Sequence, residues 1–133
     1  MDRELERKQA LAEHLGCEID EIKKDGDNLC FHQEEYLVLH ESELFDRAAE
    51  YISDNLWAFN ANFLVHYTGT TTPVIQAILS EYENGNDVLL RLVGSDLNFL
   101  IHDAINSDGY GHFFAAYDGQ EYGYGEYCVY RTN

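Results

Sequence analysis

The hydrophobic period changes twice along this chain, and nothing else in it constrains the fold more. From residue 42 to residue 106 apolar residues recur three and four apart, as on helices that bury one face. Before and after that stretch lie short β-branched and aromatic runs broken by turn residues, as in strands. A helical middle flanked by two β-hairpins predicts an α+β fold. A small antiparallel sheet, made of an N-terminal and a C-terminal hairpin, packs against several helices that cover one of its faces. With 133 residues, the chain is expected to form a single domain, residues 1–133, around one core.

Residues 2 to about 15 read as a helix stopped by Gly16. Asp25-Gly26-Asp27-Asn28 and Gln33-Glu34-Glu35 are polar breaks. Leu29-Cys30-Phe31 and Tyr36-Leu37-Val38-Leu39, set beside those breaks, form the first hairpin. Leu44, Ala48, Ile52 and Leu56 place a helix over 42–60, with Phe45, Ala49, Trp57 and Phe59 widening its apolar stripe. Thr72-Pro73 reads as an N-cap with proline in the first turn, and Asn84-Gly85 as the end of that helix. A brief helical pattern over Val88–Val93 stops at Gly94, and Ser95 caps another helix with Leu97, Leu100, Ile101, Ala104 and Ile105 inward. The loop Thr68–Thr72 is the best candidate for a boundary. His112–Tyr117 and Tyr127–Arg131 read as the strands of the second hairpin, turned by Asp118-Gly119. Tyr117, Tyr127 and Tyr130 are expected to cover the core.

Charge narrows the function. There are 25 acids against 8 bases, a net charge of −17. From Asp25 to Tyr130 the only bases are Arg47 and Arg91, against 18 acids. Such a chain is not expected to grip nucleic acid or an anionic membrane through a basic surface. Solubility would account for the acidity, and so would a surface shaped like a polyanion. Cys17, Cys30 and Cys128 are odd in number and lack Cys-x-x-Cys spacing, so three reduced thiols are expected. The opening Met-Asp-Arg-Glu-Leu-Glu-Arg-Lys does not look like a signal peptide. No apolar run approaches the ~20 residues of a membrane helix.

Several constellations bear on chemistry. Asp108, His112 and Asp118 surround a glycine-rich segment and could serve acid–base catalysis, although a helix-to-strand turn and a hairpin turn explain them without any chemistry and are the favoured reading. Cys30 and His32 could share a strand face and meet Cys128 or His112 around zinc, but the spacing does not demand it. Asp25 and Asp27 resemble half a calcium loop, yet Tyr36 stands where the bidentate glutamate belongs. No cofactor or metal is called for. Tyr122 and Tyr124, between Glu121 and Glu126, look like an exposed acidic-aromatic loop of the kind favoured at interfaces.

Glu35-Tyr36-Leu37-Val38-Leu39, Leu56-Trp57-Ala58-Phe59-Asn60, Ser107-Asp108-Gly109-Tyr110-Gly111-His112-Phe113, Tyr117-Asp118-Gly119-Gln120-Glu121 and Tyr130-Arg131-Thr132-Asn133 carry a resemblance. Through them the chain resembles a family of small acidic proteins of bacteriophages, prophages and plasmids. The resemblance implies a bacterial cytoplasm and carries over no catalytic residue. Relatives tend to hold a base where this chain has Tyr110.

The expected function is protein binding rather than catalysis. An inhibitor of a host nucleic-acid-binding enzyme, such as a restriction or CRISPR effector, would present carboxylates in place of phosphates. The candidate binding residues are Glu41, Glu43, Asp46 and Glu50, with 43, 46 and 50 on one helix face, and Glu121, Tyr122, Tyr124 and Glu126. The other expectations are a structural or regulatory accessory protein with incidental acidity, and a small enzyme centred on Asp108, His112 and Asp118. A homodimer through Trp57 and Phe63 is also open.

Overall fold

The computed structural model describes residues 3–133, and the fold is α+β. The first residue of the expected N-terminal helix, residue 2, lies outside the described residues. Contacts divide the chain into two compact units. One comprises the chain up to Ala48 together with Asp108–Asn133, and the other is Ala49–Ser107. The Thr68–Thr72 loop lies inside the second unit and separates nothing.

The first unit is built on a five-stranded antiparallel sheet. Its strands are β1 (Lys23–Asp25), β2 (Asn28–Phe31), β3 (Glu34–His40), β4 (Tyr122–Tyr124) and β5 (Tyr127–Arg131). Their order is β1-β2-β3-β5-β4. Strand β1 is too short and too polar to show in the sequence, and all three of its residues are exposed. In the centre, Tyr36, Leu37, Val38 and Leu39 of β3 are buried without alternation. Both faces of the sheet are therefore covered, not one as expected. Helix α1 (Arg3–Leu15) lies on the face of Leu29, Tyr36, Val38, Tyr127 and Val129, burying Ala10, Leu11 and Ala12 against them. On the other face, the Phe114 ring meets Tyr130 edge-on at 5.1 Å.

That Phe114 corrects the expected second hairpin. Residues 110–114 form a short helix instead of a strand, and Asp118-Gly119 is a turn but not the hairpin turn. The hairpin partner of β5 is β4, joined through Gly125 and Glu126. The run His112-Phe113-Phe114-Ala115-Ala116-Tyr117 reads as a strand, but Gly111 decides otherwise. It packs so closely that a Cβ there would collide with the Gly119 carbonyl oxygen. Tyr127 and Tyr130 are buried as expected, whereas Tyr117 is 59% exposed.

The helix expected over 42–60 is shorter. A 3-10 turn at Glu41–Glu43 leads into α2 (Leu44–Asp54), and a second at Leu56–Ala58 follows it. The apolar repeat continues past the helix end, which is why its period overran. Leu56 is fully buried while Trp57 is 55% exposed, contrary to a core role.

The second unit is helical apart from its turns. Helix α3 (Ala61–Thr68), unforeseen in the sequence, α4 (Thr72–Glu81) and α5 (Gly85–Val93) pack together. Helix α6 (Leu97–Asp108) follows, and the 110–114 helix is α7. The cap of α4 is Thr71 rather than Thr72. Asn84-Gly85 opens α5 instead of closing α4, and a Cβ on Gly85 would press on the Ile78 carbonyl at 3.3 Å. Leu64, Ile75, Leu89 and Leu100 are fully buried in this unit.

Candidate functional site

The C-terminal hairpin, the start of β3–α2 and one face of α1 converge within the first unit. Glu6, Gln9, Ala10 and Glu13 recur three and four apart on α1. With Tyr124, Gly125, Glu126 and Tyr127 they line a shallow groove. The Tyr127 hydroxyl donates to Glu6 at 2.9 Å, and His14 Nδ1 lies 2.7 Å from the Tyr124 hydroxyl. The His14 ring also packs 4.6 Å from Tyr122. Burial pushes the His14 pKa down, and the nearby Asp118 charge pulls it part of the way back.

The predicted acids fall into different environments. Glu43 is half-buried, and it accepts from Arg7 at 2.6 Å and from the His40 N–H at 2.9 Å. Arg3 lies 4.0 Å away. Desolvation pushes the Glu43 carboxyl up, but the His40 N–H and the Arg7 and Arg3 guanidiniums outweigh it and hold its pKa below the ordinary value. Glu43 thus ties α1 to the start of α2 and is not free to face a partner. Asp46 and Glu50 are exposed, four apart on α2. Glu41 is exposed, and its N–H donates to the Glu126 carbonyl at 2.8 Å, so the two loops lie side by side. The Glu126 carboxylate meets His40 Nε2 at 3.0 Å. Glu121 is exposed and accepts from the Tyr130 hydroxyl. Tyr122 and Tyr124 are not a loop. They form β4, Tyr122 being 39% exposed and Tyr124 half-buried against the α1 core.

The Asp108–His112–Asp118 constellation has a simple structural content. Gly109 at φ +79° ends α6 and leads into α7. His112 Nε2 stands 3.9 Å from Asp108, beyond hydrogen-bond reach, and both side chains are substantially exposed. Asp118 Oδ1 accepts the Gln120 N–H at 3.0 Å, holding its own turn.

The cysteines are unpaired. Burial pushes all three thiol pKa values up, reinforced at Cys30 by Asp25 and Glu35, which disfavours nucleophilic thiolates. His32 does not share a strand face with Cys30. It sits at φ +56° in the two-residue turn between Phe31 and Glu34. Among the described residues, Asp25, Cys30 and Glu35 bring a thiol and two carboxylates within 4.8 Å of one another. Lys23 of β1 is the register partner of Cys30. The grouping was readable from the 31–34 turn, which forces Cys30 opposite Glu35. The α1 side of the groove was readable from the spacing of Glu6 and Glu13.

In the second unit, Trp57 is exposed, while Phe63 is half-buried and stacked 5.4 Å from Phe59. No helix among the described residues is long and apolar enough to cross a membrane. In comparisons with known proteins, no family model matches the chain, and neither a curated protein nor a solved structure matches it.

Proposed function

We propose that this chain is a small acidic accessory protein that acts by binding a protein. The partner class that fits best is an enzyme with a basic nucleic-acid groove, such as a restriction or CRISPR effector, which carboxylates would occupy in place of phosphates. The setting would be the bacterial host cytoplasm, with neither nucleic acid nor membrane bound directly. What supports this reading is the fate of the cations. Arg7 and Arg3 lie against Glu43, Lys24 is 3.9 Å from Glu4 and Arg47 is 3.7 Å from Asp27. The Arg131 guanidinium lies 3.6 Å over the Tyr117 ring. Arg3, Arg7, Lys24 and Arg47 thus sit beside local acids and Arg131 beside a ring, while Glu41, Asp46, Glu50, Glu121 and Glu126 are exposed. Asp46 and Glu50 are separated by about 6 Å along the α2 axis, of the order of two phosphate steps at ~3.4 Å each.

The test is capture from a bacterial lysate on the immobilised protein, with and without added DNA. A nucleic-acid-binding enzyme should be retained, released by DNA and released by salt. The triple variant Glu41→Gln, Asp46→Asn, Glu50→Gln should fold and capture at least several-fold less. A principal partner that ignores DNA would overturn the reading.

A further inference from the structure

The two outer edges of the sheet are built differently. The β1 edge carries Lys23 and Lys24, and edge lysines discourage another strand from pairing. The β4 edge carries Tyr122-Gly123-Tyr124, with neither lysine nor proline.

Its backbone polarity follows from the register. Tyr124 and Tyr127 close a two-residue hairpin and exchange ladder hydrogen bonds, as do Tyr122 and Val129 two residues on. Gly123, between them, therefore turns its N–H and C=O to the free edge. The far side of β5 agrees. The Arg131 carbonyl, on the same side as those of Tyr127 and Val129, accepts the Tyr117 N–H at 3.2 Å, while Thr132 donates to Glu35 of β3 at 2.8 Å. Gly123 is exposed, and a Cβ built on it meets nothing within 4 Å.

We propose that the β4 edge at Gly123 accepts an extended Lys/Arg-rich segment of a partner protein as a sixth strand. Main-chain bonds to Gly123 supply the pairing, and the surrounding charge selects the occupant. Glu121 and Glu126 flank the strand, and Glu6 and Glu13 line the groove beside its tip with Tyr124 and Tyr127. Among the described residues, no base lines that groove. A basic segment would lay its aliphatic stems on Tyr122 and Tyr124 and its cations on the carboxylates. A second copy of this chain would set Glu121 and Glu126 against their own kind. The inference holds whether or not the partner's basic surface normally carries nucleic acid.

The probe is an end-blocked ten-residue peptide alternating lysine and threonine, compared with the same peptide N-methylated at every amide. Methylation keeps the charge and removes the donors. In about 0.15 M salt, where charges are screened beyond about 8 Å, the unmethylated peptide should bind at least 10-fold more tightly. The Gly123 amide should exchange its hydrogen at least 10-fold more slowly in saturating peptide. Gly123→Pro leaves the β4–β5 ladder bonds in place and should abolish the difference between the peptides. Glu121→Gln with Glu126→Gln should weaken binding several-fold while keeping the Gly123 protection at saturation. Equal binding of the two peptides, or unchanged exchange at Gly123, would overturn the proposal. So would a peptide-indifferent dimer that Gly123→Pro dissolves, since the occupant would then be a second copy.

Discussion

Asn86, in the first turn of α5, holds Trp57 in place. Its side-chain oxygen accepts the Trp57 backbone N–H at 3.1 Å, and its amide nitrogen donates to the Ser53 carbonyl at 2.8 Å. One side chain thus closes the irregular stretch after α2, fixing the 3-10 turn that buries Leu56 and leaves the indole outside. Asn86→Ala should cost about 1–3 kcal/mol in urea unfolding, because it strands a donor and an acceptor together. Trp57→Ala should cost less than about 1 kcal/mol, as surface substitutions do. A larger loss for Trp57→Ala than for Asn86→Ala would show that the indole, not the clamp, holds this turn.

Gly111 should tolerate no side chain. Gly111→Ala should destabilise by about 1–3 kcal/mol or more, because the Gly119 backbone cannot retreat as a flexible side chain would. Gly123→Ala, at a position with open space, should stay within about 1 kcal/mol. Thermal unfolding of the two variants side by side checks the contrast, and equal losses would refute the close approach of α7 to the Gly119 turn.

Acidification should weaken the tie between α1 and the start of α2. The folded pKa of Glu43 lies below its unfolded value, so its contribution is complete above about pH 4.3 and is lost as pH falls through the folded value. Glu43→Gln should therefore cost about 1–3 kcal/mol at neutral pH, with the gap to the parent protein shrinking in acid. A gap that does not change with pH would mean that the carboxylate charge plays no part.

His14 has the same sign for a different reason. Burial favours its neutral form, so its contribution is present above the unfolded value of about 6.5 and is lost as pH falls below it. An NMR titration should place the His14 midpoint below that value. A midpoint above it would show that the Asp118 charge outweighs burial.

Salt should stabilise the protein. With 18 acids and two bases between Asp25 and Tyr130, self-repulsion strains the compact state most at low ionic strength. The melting temperature should rise from low to moderate NaCl. A fall would show that favourable ion pairs, rather than repulsion, dominate the charge energetics.

Some of this protein is local and therefore legible in the sequence alone. Gly16, Gly26 and Gly94 stop or turn the chain where they stand, all at positive φ. The 3.6-residue period marks α4, α5 and α6, because each buries one stripe. The α+β class follows from those periods, and the excess of acids is plain arithmetic. Tertiary structure decided the rest, through contacts between residues distant in sequence. Whether 110–114 is helix or strand depends on Gly111 meeting the Gly119 backbone, which no period records. Glu43 looked like its neighbours until folding brought Arg7, 36 residues away, within 2.6 Å. β1 and β4 are three residues each, too short for alternation to signal, and exist because β2 and β5 offer them an edge. The same pairing turns Gly123 outward, so the candidate binding edge belongs to the sheet rather than to the segment that forms it.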